Sequence, residues 1–360
     1  MTYEFSYVKL CLALQKASRM HLEPAWIAAF EAVFRRCKLV EGDIACLLTE
    51  SRSRPLNVAL AEAALARTGA RPLRVTLPSP AQTAPVPVRS TGSSRAIARH
   101  PAALAAMAAS PFIVDLTREG LLHAPELQQI LKSGSRVLMV SNEHPDALER
   151  LVPRDEDETV AKAAVKRARA AKTMRVTSAA GTDLHVVMEG APCVGVWGWT
   201  DRPGTIAHWP GGILVAFPRA GSVQGRLVLD AGDVNLTFKR YIEQPITLTI
   251  EDDHITRIEG RGADAQMMRR YLEAWDDRAA YAVSHVGWGL NRRARYEALA
   301  FYDREDTNGT ELRAVAGNFL FSTGANEFAG RFTEGHFDIP VFNTTISLDG
   351  EDVVRAGVLL

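Results

Sequence analysis

The chain has 360 residues, 47% of them hydrophobic and 23% charged, with 42 basic side chains against 42 acidic ones. That size holds one large domain or two ordinary ones, each with its own core. The balanced charge excludes the electrostatic footprint of a nucleic-acid-binding protein, and no apolar run approaches a membrane span.

The first part alternates helical and strand signals. FSYVKLCLALQKASRM and PAWIAAFEAVFRRCKL carry helical spacing, with Pro24 placed near a helix start. DIACLLTE reads as a buried strand, NVALAEAALARTGA as a helix stopped by Gly69, and PLRVTLP as a second strand. The polar, proline-rich SPAQTAPVPVRSTGSS reads as a loop. Helix AIARHPAALAAMAA, strand PFIVDLT, helix APELQQILKSG, strand SRVLMVSN and helix PDALERLV follow. Such alternation predicts an open, mostly parallel α/β sheet over residues 1–155. TESRSRPLN after the first strand contains no glycine-rich phosphate loop, which argues against a nucleotide cofactor.

Acidic PRDEDE opens a basic helix, ETVAKAAVKRARAAK, in the order the helix dipole favours, and leads into a second part, residues 156–360. There the signal changes to hairpins. MRVTSAAGTDLHVVM and ITLTIEDDHITRIEG each place a turn between alternating strands. One helix, DAQMMRRYLEAW, precedes the strand-rich ending, so the second part is expected to be α+β with a twisted, barrel-like antiparallel sheet. The N-terminus lacks the basic start and cleavable apolar stretch of a signal peptide. Cys11, Cys37, Cys46 and Cys193 show no CxxC spacing, which excludes a zinc ribbon and fits reduced thiols in a cytoplasmic protein.

Chemistry concentrates in the histidines. In TEGHFDIP, His336 and Asp338 are two apart, so in an extended strand they share a face while Phe337 and Ile339 point the other way. His285, in the glycine-flanked SHVGWGL, is a third candidate, the glycines allowing close backbone approach to an ion or substrate. Two imidazoles and one carboxylate suit a non-haem Fe(II) oxygenase or, with one open position, a zinc hydrolase. The same residues also read as ordinary polar groups at strand ends. His123 follows DLTREGLL at the end of a predicted parallel strand, where open α/β sheets place ligands. His208, in TIAHWPGG, is expected in a loop that forms a pocket wall. Arg313 and Ser322 fall between the ligand candidates; the arginine suits an enolate or carboxylate, the serine a substrate oxygen. No GxSxG elbow supports a serine nucleophile. His21, His100, His144, His185 and His254 read as structural or solvated.

Taken together, SHVGWGL, GNFLFSTG, HFDIP, HWPGG and LLHAPELQQIL resemble the 2,5-dihydroxypyridine 5,6-dioxygenases, from about residue 100 to the C-terminus. That family is related in structure to the M29 thermophilic metallo-aminopeptidases. The resemblance implies one Fe(II) per chain held by His285, His336 and Asp338, with His123, His208, Arg313 and Ser322 in the pocket. It further implies a small hydroxylated N-heteroaromatic substrate, O2 as co-substrate, N-formylmaleamate as product, and a homo-oligomer. The related peptidases hold two metals with two extra glutamates, whereas VGVWGWTDRPG here contains none. Val196 stands where the dioxygenases carry an acidic residue, and Trp197 and Trp199 stand for nearby tyrosines. The rival readings are a Zn/Co metallo-aminopeptidase and a non-catalytic α/β ligand-binding protein, the latter needing the three ligand candidates to lie apart.

Overall fold

The computed structural model describes residues 21–81, 94–304 and 307–360; the helix read at residues 5–20, Cys11 and most of the loop at 79–94 lie outside them. Helix Pro24–Arg36 starts with proline at its first turn, where the missing N–H costs nothing. It leads into strand Ile44–Glu50, helix Pro55–Thr68 and strand Arg71–Leu77. Gly69 caps the second helix with a left-handed backbone, as its position in the sequence implies. The helix expected from residue 96 begins only at Pro101. The residue before a proline is pushed out of the helical region, and Arg99 already has positive φ.

Strands Arg71–Leu77, Ile44–Glu50, Phe112–Asp115, Arg136–Met139 and Ile206–His208 lie side by side in that order, all neighbours parallel. Alternate residues go to opposite faces. Ala45 and Leu47 pack with Phe30 and Phe34, whereas Cys46 and Leu48 pack with Met107 and Ile130. Both faces are thus covered by helices, which is why the inner strands Ile44–Glu50, Phe112–Asp115 and Arg136–Met139 read as largely apolar runs, whereas the edge strand Arg71–Leu77 is mostly exposed. The fifth strand, Ile206–His208, comes from the chain beyond residue 156, so the sheet recruits an edge from the segment read as the second part.

The helix bridging the two parts spans Asp155–Ala170, with four acidic residues in its first turn and Arg167 and Arg169 in its last. Beyond it, antiparallel strands form two main sheets of eight and five strands, rather than the one twisted sheet expected. The five-stranded sheet runs Phe337–Val341, Phe319–Thr323, Val283–Gly289, Ile213–Ala216 and Cys193–Val196. Its inward side chains, including Phe319, Phe321, Phe337 and Ile339, join Met268 and Leu272 of helix Gly262–Glu273 in a single core. Each such side chain contributes roughly 1.5–3 kcal/mol on burial. Among the described residues no helix is long and apolar enough to cross a membrane.

Candidate active site

His336 directly precedes strand Phe337–Val341, and Asp338 is its second residue. The two side chains share a face, with His336 Nε2 3.1 Å from Asp338 Oδ1, while Phe337 and Ile339 are buried in the core behind them. The neighbouring strand pairs Ser322 with Asp338. His285 comes from strand Val283–Gly289, where the register with strand Phe319–Thr323 shifts between Val283 and Val286. That irregularity re-aims His285, bringing its Nε2 within 3.8 Å of Asp338 Oδ1. One ring nitrogen from each histidine and one Asp338 oxygen lie within 4.8 Å of one another, all three residues buried.

The surroundings prepare this trio for a cation. Ser284 gives its hydroxyl proton to the Ala325 carbonyl, so its oxygen accepts from His285 Nδ1 at 3.1 Å. His285 is thereby held in the tautomer whose Nε2 carries a free lone pair, the arrangement typical of metal-bound histidines. Ser322 Oγ sits 2.9 Å from His285 Nε2 and donates to Asp338 Oδ1. Arg313 Nε donates to Asp338 Oδ2 at 2.8 Å. Burial alone would raise the Asp338 carboxyl, but the Arg313 guanidinium and His336 outweigh it and hold the group well below the usual carboxylate range. Burial pushes His285 down to about 3 against the pull of Asp338. Neutral imidazoles beside an ionised carboxylate form the donor set of a divalent transition metal. His336 Nδ1, buried and without a hydrogen-bond partner among the described residues, also fits a site whose ligand field is incomplete without an ion.

The trio closes one end of a cavity of about 300 Å³. His123 and His208 line it, His123 beyond strand Phe112–Asp115 and His208 at the last position of its own strand, at the C-terminal side where such sheets place ligands. His208 ends strand Ile206–His208 rather than lying in the expected loop, its Nδ1 bonded to the Pro210 carbonyl at 2.7 Å. Burial lowers His208 to about 4. The His123 ring lies tilted against that of His336, ring centres 5.2 Å apart, and burial together with His336 and His285 lowers it to about 3. Its surroundings therefore keep it neutral rather than titrating near pH 7. Arg313 lines the cavity, whereas Ser322 stands behind it among the ligand atoms. Val196 contributes to the apolar wall; Trp197 and Trp199 pack into the core instead.

Several contributors went unread in the sequence. Asp115, fully buried, accepts from Thr117 N, Thr117 Oγ1 and Leu121 N, shaping the loop that delivers His123. The DLT signature of an Asx turn could have marked it. Phe217, whose ring centre is 5.6 Å from that of His285, and Asn308 also line the cavity and carry no local signal. The glycines of SHVGWGL serve packing rather than an ion: a Cβ on Gly287 would stand 1.9 Å from the Leu214 carbonyl oxygen.

A family model described as 2,5-dihydroxypyridine 5,6-dioxygenase matches residues 25–360. The curated 2,5-dihydroxypyridine 5,6-dioxygenase of Pseudomonas putida KT2440 is 38% identical over 332 residues, covering 91% of this chain and 94% of that protein. The solved 2,5-dihydroxypyridine dioxygenase structure from the same strain superposes with a TM-score of 0.87 at 38% identity, over 93% of this chain and 96% of that one. AmpT of Thermus thermophilus, an M29 aminopeptidase, shares the fold at a TM-score of 0.65 and 14% identity, over 94% of this chain and all of its own. With a match that spans all three main sheets and every residue around the cavity, the chain belongs to the 2,5-dihydroxypyridine 5,6-dioxygenase family.

Proposed function

We propose that the chain opens the ring of 2,5-dihydroxypyridine, or a close hydroxylated pyridine, with O2, yielding N-formylmaleamate in nicotinate- or nicotine-type degradation in the cytoplasm. The observation that carries this reading is the convergence of His285, His336 and Asp338 at the end of a small, largely apolar cavity. Both oxygen atoms enter the product, so no external reductant is consumed. A single Fe(II) held by the three ligands would supply the one-electron chemistry that lets O2 react with a closed-shell ring.

The protein's own groups account for the rest. Arg313 and Ser322 fix the Asp338 carboxylate from both sides, and Arg313 also presents positive charge where an oxyanion develops. The apolar wall with Val196 and Phe217 excludes water from the ring. His123 accepts a substrate hydroxyl proton. Its neutral form prevails at pH 7, and an anionic ring beside it would stabilise the imidazolium that burial disfavours. His208, on the same parallel layer as His123, orients the ring.

The test is anaerobic reconstitution with Fe(II), then O2 consumption against hydroxylated pyridines and aminoacyl substrates. One iron per chain and pyridine-dependent O2 uptake are expected. Two zinc ions with aminoacyl hydrolysis would establish the peptidase reading instead. His336→Ala and Asp338→Ala should each lose iron and O2 uptake together, and retained iron with full turnover in either would overturn the ligand assignment.

A further inference from the structure

The wall of the cavity is shared between polar groups and plain apolar surface. His123 lies against His336 and Arg313 is bonded to Asp338, so these polar groups gather at the trio. Elsewhere two paired strands of the five-stranded sheet turn a face of β-branched side chains to the cavity. Val194 is paired with Val215 and Val196 with Ile213, and all four line it. Alternation sends Cys193, Leu214 and Ala216 into the core behind them. Strand Cys193–Val196 is the last of its sheet, and Val194 on it is 43% exposed.

Phe328 extends this face outward. It is 59% exposed, lines the same cavity, and packs its ring 5.1 Å from that of Phe217, which follows Val215 by two residues. Its mount is held. Asn326 Nδ2 donates to the Pro218 carbonyl at 2.8 Å, and Asn326 and Arg331 exchange backbone hydrogen bonds at 3.0 Å around the turn Glu327–Ala329. An exposed phenyl ring kept in place beside an apolar sheet face is a contact surface for a ligand. A cavity of about 300 Å³ belongs with those that enclose drug-sized molecules, and a lone six-membered ring at the trio leaves this part unfilled. Apart from Arg313, no lysine or arginine among the described residues lines the cavity, so an anionic substituent finds no cation on this face.

Resting on the function proposed above, we infer that the preferred substrate is a hydroxylated pyridine bearing an apolar alkyl or aryl substituent, and that Val194, Val215 and Phe328 form the subsite for it. The bond opened lies between C5 and C6, and that edge must face the trio. Hydroxyls occupy C2 and C5, so C3 and C4 are the ring carbons left to carry the substituent. Each methylene moved from water onto such a face strengthens binding about fourfold, through the apolar surface it buries.

The test is anaerobic calorimetric titration of Fe(II)-reconstituted wild type, Phe328→Ser and Val194→Thr with 2,5-dihydroxypyridine and its 3-propyl and 4-propyl derivatives. Wild type should bind one propyl derivative at least about tenfold more tightly than the unsubstituted ring. That ratio should fall at least about threefold in Phe328→Ser or Val194→Thr, with unchanged iron content. Both side chains are exposed, so neither substitution opens a void in the core. A smaller wild-type ratio for both derivatives overturns the inference, while binding of 2,5-dihydroxypyridine itself leaves the proposed function intact. A smaller fall in both variants overturns the place assigned to the substituent. Wild type that binds none of the three removes the functional reading itself.

Discussion

His208 illustrates how the fold sets the state of a single side chain. Its Nδ1 can only donate to the Pro210 carbonyl, which fixes the neutral ring in the tautomer whose Nε2 is unprotonated. Burial lowers its pKa to about 4, against about 6.5 in an unfolded chain. Between those values the unfolded chain binds more protons, so this contribution falls as pH drops below about 6.5 and is absent as a penalty above it. Buried carboxyls respond in the opposite sense: Asp233, raised by burial to about 7, favours the folded state on acidification. The His208 term must therefore be isolated against a variant. Urea denaturation of metal-free protein should show wild type losing roughly 1–2 kcal/mol relative to His208→Gln between about pH 7.5 and about pH 5. Parallel pH profiles for the two would show that His208 titrates normally. The partner residues Ser284 and Ser322 were only partly legible, because a serine's role depends on which strand the sheet puts beside it.

At the scale of elements, the strand Val283–Gly289 decides whether the site exists. It is buried along its whole length and lies between Ile213–Ala216 and Phe319–Thr323. Backbone approaches so closely at Gly287 that a methyl group would stand 1.9 Å from Leu214 O and 3.0 Å from Val215 Cα. Neither neighbour is a flexible side chain, so Gly287→Ala must displace a strand. The expected cost is about 3 kcal/mol or more, the upper part of the overpacking range. Metal should be lost with it, because His285 sits two residues earlier on the same backbone. Thermal denaturation and metal stoichiometry check both, and a wild-type midpoint with full metal would refute the packing role. The alternation in HFDIP was readable because period two needs only an extended chain. The register shift beside His285 was not, since a bulge is a property of two paired strands.

At the scale of the molecule, the cavity lies where the parallel layer meets the antiparallel one, and neither contributes enough alone. His123 and His208 come from the first; the ligand trio and Arg313 come from the second. Buried Glu311 accepts from Arg295 N at 2.7 Å and pairs with Arg150, whose Nη2 lies 3.1 Å from Oε2. Arg150 ends a helix of the parallel layer, and Glu311 lies on the short helix carrying Arg313. This ion pair therefore fixes the two halves of the cavity relative to each other. Arg150→Met strands a buried carboxylate and should destabilise the protein by roughly 3–5 kcal/mol, measured by urea unfolding. Arg150→Met with Glu311→Met should recover much of that loss, because the orphaned charge is gone. Additive losses in the double variant would show that the pair does not act as a unit.

By itself the sequence determined the local facts: the β/α alternation with strands buried on both faces, the hairpin-rich second half, and a histidine and an aspartate sharing one face of a strand. Such features follow from periodicity, turn chemistry and side-chain branching, which act over a few residues. Only the tertiary structure decided that His285, 51 residues before His336, completes the trio. It also recruited Ile206–His208 into the first sheet and held His123 neutral. Each of those outcomes depends on strand register or burial, and neither exists until distant segments pack.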